Sequence, residues 1–303
     1  MTSPQAPVPP APVPVVSAER RAAHRRAAAR RIPLRAVQYV FLLVVALAVL
    51  FPVYWMIASS LKTPDELTAL PPSWLPAHPS IDAYTTVLSV IPYAQAFFNS
   101  FVIAAGDTIA IVVTSVMAGF VFAKYEFRGR DLLFYAVLAT MFVPTIVTLV
   151  PLFHIMQSLG LVDTYPGVML PQLANAFGIF LMRQFIQGIP DELIDAARVD
   201  GASEWRVLWG VVAPLLTTAV ATLVLFAFVF QWNSFLWPLT ILQSQDKFTI
   251  VLAMSRLLSY TSSIQFQNVV MAGAVISILP NTILFLFLQR FFITGLAQSG
   301  LKG

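Results

Sequence analysis

Long apolar runs alternate with short polar segments along most of this chain. A helix needs about 20 apolar residues to cross a bilayer, and helices are favoured there because lipid offers backbone groups no hydrogen-bond partner. The pattern therefore predicts six transmembrane helices, near residues 37–60, 97–123, 132–157, 163–186, 210–238 and 268–292. The fourth run is diluted by Pro166, Pro171, Gln172 and Asn175, so we expect neighbouring protein to cover its broken face.

Composition supports the same fold class. The 303 residues are 58% hydrophobic and 11% charged, with a mean hydropathy of +0.79, which lies outside the range of ordinary soluble domains. We predict an all-α polytopic membrane protein. The chain has no cysteine, which excludes disulfides and thiolate metal sites, and its three histidines are too far apart in sequence to suggest a metal site.

The first 35 residues differ in composition from the rest. Six prolines lie within the first 16 residues and seven arginines lie between residues 19 and 35. We predict a disordered tail over residues 1–35, followed by a membrane domain over residues 36–303. The arginines either signal topology or lie in a helix against anionic headgroups. The first apolar run is longer than that of a signal peptide, so we expect an uncleaved anchor.

The basic residues fix an orientation. If the N-terminus is cytoplasmic, every Lys and Arg lies in the tail or in an inside segment except Lys62, Lys247 and Arg256. The positive-inside rule then places both termini and residues 187–209 in the cytoplasm. The net charge of +4 follows membrane topology and gives no indication of nucleic-acid binding.

One cytoplasmic segment, DELIDAARVDGASEWRVLWGVVAP at Asp191–Pro214, is unusually charged for this chain. Pro190 and the acidic residues after it favour a helix start, Gly201 favours a stop, and Ser203 can cap the next helix. The helix between these signals presents one face made of Leu193, Ala196, Ala197 and Asp200. Small residues suit docking into a groove of a partner, although such a helix can equally pack on the chain's own loops.

The same segment resembles the cytoplasmic coupling motif of binding-protein-dependent ABC importer permeases, which reads E-A-A, three residues, G, nine residues, I-x-L-P. Asp195-Ala196-Ala197 is followed by three residues and Gly201, and nine more residues lead to Val211-Val212-Ala213-Pro214. Asp195 stands where Glu is usual, and Val211 and Ala213 replace Ile and Leu. Four further segments resemble the carbohydrate-uptake branch and its maltose-type second permease, namely LGLVDTYPGVMLP, FGIFLMRQF, QWNSFLWPL and QRFFITGLAQSGLKG.

The resemblance implies the type I ABC importer permease fold and a subunit of an ATP-driven sugar importer in a bacterial cell membrane. The implied partners are a second permease in a heterodimer, a dimer of ATP-binding subunits carrying ATP and Mg, and an extracytoplasmic solute-binding protein. A coupling helix at about 190–208 would dock on the ATP-binding subunits. The implied coupling residues are Asp195, Ala196, Ala197, Asp200, Gly201 and Pro214.

The chain itself is not expected to be an enzyme or to bind a cofactor. A phosphate-binding loop needs a Gly-Lys pair, and the four lysines, Lys62, Lys124, Lys247 and Lys302, are preceded by Leu, Ala, Asp and Leu. The work of transport must then reach this chain through a contact. We expect Pro214 to act as a hinge between the coupling helix and the fifth membrane helix.

Polar residues inside the membrane are candidates for the substrate pathway. Asp107 lies within the second predicted helix, where a charge is costly unless it is partnered or hydrated. Gln231, Trp232 and Asn233 suit sugar hydroxyls and C–H faces, but all four residues can instead bridge helices. The alternative function is an ion-coupled secondary transporter with Asp107 and His154 as its relay; a membrane enzyme would need more converging acids and bases than these two.

Overall fold

The computed structural model describes residues 18–260 and 266–299, which are helical with connecting turns and contain no strand within those ranges. Short 3₁₀ turns lie at Thr140–Phe142, Leu170–Gln172 and Gln245–Lys247, and a π-helical segment at Val207–Val212. The α-helices are α1 Ala18–Ser60, α2 Pro64–Thr68, α3 Asp82–Val90, α4 Tyr93–Lys124, α5 Arg130–Ala139, α6 Thr145–Ser158, α7 Tyr165–Met169, α8 Ala176–Gln187, α9 Asp191–Val199, α10 Glu204–Arg206, α11 Ala213–Leu215, α12 Thr217–Trp232, α13 Leu236–Ile241, α14 Ile250–Tyr260 and α15 Gln267–Ser299. The all-α prediction is confirmed.

Three helices are long and apolar enough to cross a membrane, and the count rises to five if two bent helix pairs each form one span. The three are Val37–Ser60 within α1, the whole of α4, and Gln267–Phe291 within α15. They correspond to the first, second and sixth predicted helices. The other three predicted helices are interrupted in the structure, each for an identifiable reason.

The predicted helix at 132–157 is broken beside Pro144. The 3₁₀ turn after α5 ends at Phe142, α6 begins at Thr145, and the two parts are bent by 104°. Proline pushes the preceding residue out of the α region, and Val143 accordingly has an extended backbone (φ −80°, ψ 118°). The two parts form a bent pair instead of one straight helix.

The predicted helix at 210–238 is broken twice. Pro214 has no N–H and its ring displaces the carbonyl four residues earlier; the chain is π-helical just before it and bends by 84° between Leu215 and Thr217. The helix then ends at Trp232, and α13 forms a separate short helix.

The predicted helix at 163–186 is two short helices joined by a 3₁₀ turn. Each begins with a side-chain cap: Thr164 Oγ1 accepts a hydrogen bond from the Gly167 amide (3.1 Å), and Asn175 Oδ1 accepts one from the Gly178 amide (2.8 Å). The prolines and Asn175 that dilute the apolar run thus start new helices. With 12 residues, α8 is shorter than a membrane crossing requires.

The N-terminal helix starts earlier than the sequence predicts. α1 begins at Ala18, inside the 1–35 segment predicted as a disordered tail, and residues 1–17 lie outside the described part. Alanine and arginine are both good helix formers, which accounts for a helix in the second half of that segment.

α4 is the central helix of the unit that begins at Met56, and it packs against α8 and α12. Two buried apolar clusters lie along it, one towards Tyr93 and one towards Lys124; we call these the Tyr93 end and the Lys124 end. The approach of α4 to α8 is close at Gly119, where an added Cβ would lie 2.6 Å from the Met182 Cβ and 2.9 Å from the Arg183 nitrogen. Small residues permit such contacts between membrane helices.

At the Tyr93 end, buried Asn99 fixes the segment that precedes α14. Its Nδ2 donates to the carbonyls of Asp246 (2.8 Å) and Phe248 (3.0 Å), and its Oδ1 accepts from the Tyr165 hydroxyl (2.5 Å). The neighbouring Ser100 Oγ accepts from the Ile250 amide at 2.7 Å. These bonds satisfy backbone groups that would otherwise be buried without partners.

Asp163 joins the α6–α7 turn to the same segment. Its carboxylate accepts hydrogen bonds from the Gln243 amide (2.9 Å), from the amide and hydroxyl of Ser244 (3.0 and 2.5 Å) and from Lys247 Nζ (2.9 Å). Partial burial raises the pKa of Asp163, but these donors together outweigh it and hold the pKa well below its usual range. In turn, the hydrogen bond to Asp163 raises the pKa of Lys247.

We expect Asp163→Asn to lower the unfolding temperature of the detergent-purified protein at pH 7. Because the folded-state pKa is depressed, the carboxylate stabilises the fold above its unfolded pKa of about 3.9, and this contribution is lost as the pH falls through the folded value. The difference between parent and variant should therefore shrink below about pH 4. Asn tolerates the positive φ of 59° at this position.

Thermal unfolding of both proteins from pH 3 to pH 8 checks this, with Asp65→Asn at an exposed carboxylate as the control. A parent–variant difference that does not change with pH would contradict the assigned role of the Asp163 charge.

Candidate coupling site and buried polar pair

The charged segment predicted from the sequence folds as α9, a nine-residue helix with well-defined ends. Asp191 and Glu192 occupy its first turn and Arg198 its last, which suits the helix dipole at both ends. Gly201 adopts the expected left-handed conformation with φ +80°. The Ala202 amide donates to the Ala197 carbonyl and the Gly201 amide to the Arg198 carbonyl, both at 3.0 Å, which is the Schellman arrangement.

The face predicted for docking is only partly available. Ala196, Leu193 and Asp200 are exposed, whereas Ala197 is half-buried and packs on the chain's own apolar cluster. Ile194 anchors the helix with 1% exposure, while Val199 on the outer side is 87% exposed. The outward surface is therefore centred on Ala196.

Lys124, the last residue of α4, holds the start of α9. Its Nζ donates to the Ile189 carbonyl at 2.5 Å and to Asp191 Oδ1 at 2.6 Å, and its side chain is only 7% exposed. Exposed ion pairs contribute little because water competes for them, but this ammonium is largely shielded and has two acceptors. Hydrogen bonds to charged groups contribute about 1.5–3 kcal/mol.

The adjacent Tyr125 holds the other end of α9 through two further side chains. Its hydroxyl donates to Glu204, which also accepts from Arg198 Nε at 2.8 Å and Nη2 at 3.2 Å. Arg198 donates in addition to Asp195 Oδ1 at 3.2 Å, and the hydrogen bond with Glu204 is the main reason why its pKa is raised. Asp195, the acidic residue of the motif, is thus part of an ion-pair network.

The last predicted coupling residue, Pro214, lies within α11 and two residues before Leu216, where the chain bends. The structure therefore places Pro214 at the junction between the segment that carries α9 and the α12 helix. A hinge role stays a prediction.

Asp107 and Gln231 meet in the interior, on α4 and α12. Asp107 is 1% exposed, and its Oδ2 accepts a hydrogen bond from Gln231 Nε2 at 2.5 Å. The two residues line a cavity of about 10 Å³ together with Gln172 and Thr249, which is room for roughly one water molecule. The pair joins two helices, as polar groups in membrane proteins commonly do.

The other residues predicted for the membrane interior do not join this pair. Trp232 is buried, stacks on Phe228 (5.7 Å) and donates from Nε1 to the Ser277 carbonyl at 3.0 Å. Asn233, the residue directly after α12, is exposed and donates from Nδ2 to the Val229 carbonyl in the last turn of that helix. His154 is exposed on α6, and no hydrogen bond links it to Asp107 in the described ranges. Nor do those ranges hold a group of three or more potential metal ligands.

An apolar groove that the sequence does not single out lies between α8 and α12. Its volume is about 600 Å³, and its lining residues include Ile111, Asn175, Phe177, Phe226 and Phe230. Phe226 and Phe230 are exposed. The sequence of an apolar run does not show whether its phenylalanines face lipid, protein or a pathway. The groove could therefore not be predicted from the sequence.

Sequence reasoning also missed Lys124, Tyr125, Glu204 and Arg198 as a connected set. Lys124 ends an apolar run and counts only as a topology signal, Tyr125 carries no charge, and their partners lie 65 to 79 residues away. The available signal is the charge of Lys124, because a lysine side chain that is buried at the end of a membrane helix is almost always paired.

Comparison with known proteins gives a consistent result. Residues 110–297 match the family model described as binding-protein-dependent transport system inner membrane component. The chain is 37% identical over 273 residues to the arabinooligosaccharides transport system permease protein AraQ of Bacillus subtilis (strain 168), covering 89% of this chain and 96% of that protein. It is 30% identical to the sn-glycerol-3-phosphate transport system permease protein UgpE of Agrobacterium fabrum (strain C58), covering 88% and 96%.

A solved structure shares the fold. A chain from a bacterial ABC transporter involved in the import of the acidic polysaccharide alginate superposes with a TM-score of 0.78 at 24% identity, covering 92% of this chain and all of that one. The predicted resemblance to ABC importer permeases is confirmed by these matches. The chain belongs to the family of inner membrane components of binding-protein-dependent transport systems.

Proposed function

We propose that this chain is a permease subunit of an ATP-driven sugar importer and that α9 is the element through which ATP-binding subunits act on it. The observation that carries the proposal is the exposed outer side of α9 around Ala196, within a segment that keeps the spacing of the coupling motif. A short helix with a small residue at the centre of its exposed surface suits insertion into a groove. The family match supports the same role.

The orientation follows from charge. The Lys124 end, with α9 and both termini, faces the cytoplasm of a bacterial cell, and the Tyr93 end faces outward. The outward end is where a solute-binding protein delivers its cargo. The rigid contacts of Asn99 and Asp163 at that end support a fixed surface for it.

The chain contributes binding surfaces and no catalysis. The partners are a second permease, which forms the pathway with this chain, and a dimer of ATP-binding subunits that hold ATP and Mg. The groove beside Phe226 and Phe230 offers an apolar surface of the kind that a membrane helix of the second permease can cover. Movement of α9 towards and away from the membrane switches the access of the pathway.

The cargo is a sugar or a sugar-like solute, since the relatives are named for arabinooligosaccharides and for sn-glycerol 3-phosphate. Burial and internal bonding of Asp107, Gln231 and Trp232 support a packing role for these three. The exposed Asn233 remains the pathway candidate, because an amide there can bond sugar hydroxyls.

We expect Ala196→Trp to abolish or strongly reduce the co-purification of the ATP-binding subunits, because the indole would fill the docking surface while leaving buried Ile194 in place. The loss should be at least about tenfold in the amount retained, as for a residue central to an interface. Affinity purification of the tagged chain with its partners, followed by quantification of each subunit, checks it.

Ala94→Trp is the matched control, since Ala94 is exposed at the opposite end of α4. The control should retain the ATP-binding subunits at the parental level. Full retention by Ala196→Trp, with an unchanged unfolding temperature, would show that α9 is not the docking element.

The ion-coupled alternative predicts a different outcome for the membrane carboxylate. Because Asp107 bonds Gln231 and does not meet His154, we expect Asp107→Asn to keep ATP-dependent uptake within about threefold of the parent, as an amide can still pair with Gln231. Asp107→Leu leaves Gln231 without its partner and should lower stability by about 1–3 kcal/mol.

Uptake of labelled arabinotriose, sn-glycerol 3-phosphate and an alginate trisaccharide into proteoliposomes containing the complete transporter measures Asp107→Asn, and unfolding of the purified protein measures Asp107→Leu. The panel also identifies the cargo. Uptake that follows a proton or sodium gradient without ATP, and that disappears in Asp107→Asn, would favour the secondary transporter instead.

A further inference from the structure

We infer that Lys124 and Tyr125 are positioning residues that make α9 and α4 move as one body, so that the work done on α9 passes along α4 to the outward end of the chain. The inference rests on the proposed coupling role of α9 and adds the route by which its movement is transmitted.

Both ends of α9 are bonded to the C-terminal end of α4. Lys124 Nζ binds the Ile189 carbonyl and Asp191 at the start of α9 (2.5 and 2.6 Å). Tyr125 reaches the end of α9 through Glu204 and Arg198. Two contacts at separate points of α9 restrict its rotation as well as its translation relative to the end of α4, which a single contact would not do.

The covalent route from α9 to the membrane helices is less direct. After α9 the chain passes through the turn at Gly201, the π-helical segment Val207–Val212 and the 84° bend at Leu216 before α12 begins. Each interruption is a point where a displacement can be absorbed by local dihedral changes. The non-covalent route runs from α9 through Lys124 directly to α4, which has no interruption of this kind.

α4 is suited to carry the movement over a long distance. Its 32 residues form one α-helix without an internal proline, about 48 Å long at 1.5 Å per residue, which exceeds the thickness of the bilayer core. At its far end Asn99 and Ser100 bind Asp246, Phe248 and Ile250. A shift of α4 therefore moves the segment 246–250 with it.

The contact of Lys124 with the start of α9 requires a positively charged donor. An ammonium has donors for both the carbonyl and the carboxylate, and the side chain of Lys124 is shielded while that of Asp191 is largely exposed. Lys124→Met keeps most of the length and the apolar stem but removes both bonds. Lys124→Arg keeps the charge and the donors.

The test measures the response of the outward segment to ATP. The chain contains no cysteine, so Gln245→Cys introduces a single thiol into this chain beside the segment 246–250. The complete transporter in proteoliposomes is treated with a membrane-impermeant maleimide, with and without ATP plus vanadate, and labelling of this chain alone is followed over time.

We expect ATP plus vanadate to change the labelling rate in the Gln245→Cys background, and Lys124→Met to reduce that change about tenfold while the ATP-binding subunits still co-purify. Lys124→Arg should restore most of the response. Asp191→Asn should reduce the response to an intermediate level, because the bond from Lys124 to the Ile189 carbonyl remains. Adding Asp191→Asn to Lys124→Met should have no further effect, because the two residues act as one unit. Tyr125→Phe should also weaken the response.

The control is Asp131→Asn, which removes an exposed ion pair with Arg130 on the same side of the chain and should behave as the parent. A full response in Lys124→Met, or no response to ATP in the Gln245→Cys parent, would overturn the inference. Failure of the ATP-binding subunits to co-purify with the parent would instead overturn the proposed function, so the two failures are distinguishable.

Discussion

A single ammonium group, that of Lys124, joins the central helix α4 to the short helix α9, which faces outward from the described bundle. The group lies in the last turn of α4, where the helix dipole favours a cation, and its two acceptors belong to the start of α9. Buried Ile194 and the packing of α9 against the segment Val207–Val212 also hold the helix, but the Lys124 contact is what bonds its start to α4. With it, the end of α4 and the charged segment form one structure.

Prolines interrupt several of the other helices, although Pro151 and Pro280 lie inside α6 and α15 without ending them. At Pro144 and near Pro214 the helix axes turn by 104° and 84°, and the short helices α7 and α13 each contain a proline in their first turns. Side-chain caps and tertiary bonds take over the backbone groups that the breaks release, as Thr164, Asn175 and Asn99 show. A membrane protein tolerates irregular backbone where protein covers it. Leu216 at the second break is accordingly 2% exposed, whereas Phe142 and Val143 at the first break are 87% and 47% exposed.

The sequence predicts those parts of the fold that depend on local pattern. Apolar runs identify the membrane-spanning parts of α1, α4 and α15 within a few residues, and the Gly201 stop and the Ser203 cap of α9 and α10 follow from residue type. Periodicity does not show the direction in which Ala197 points, because the predicted docking face and the face that packs on the chain both contain apolar residues. The partner of Asp107 could not be predicted from the sequence either, because Gln231 lies 124 residues away. Whether the Gln231 amide bonds a carboxylate or a sugar depends on its burial in the folded chain.

The central claim is that the outer side of α9 receives an ATP-binding subunit, and contact mapping tests it most directly. A photoactivatable thiol reagent attached at Ala196→Cys in this cysteine-free chain reports which molecule lies against that side chain in the assembled transporter. The account predicts a crosslink to the ATP-binding subunit as the main product. Crosslinks only to lipid or to this chain itself would contradict it.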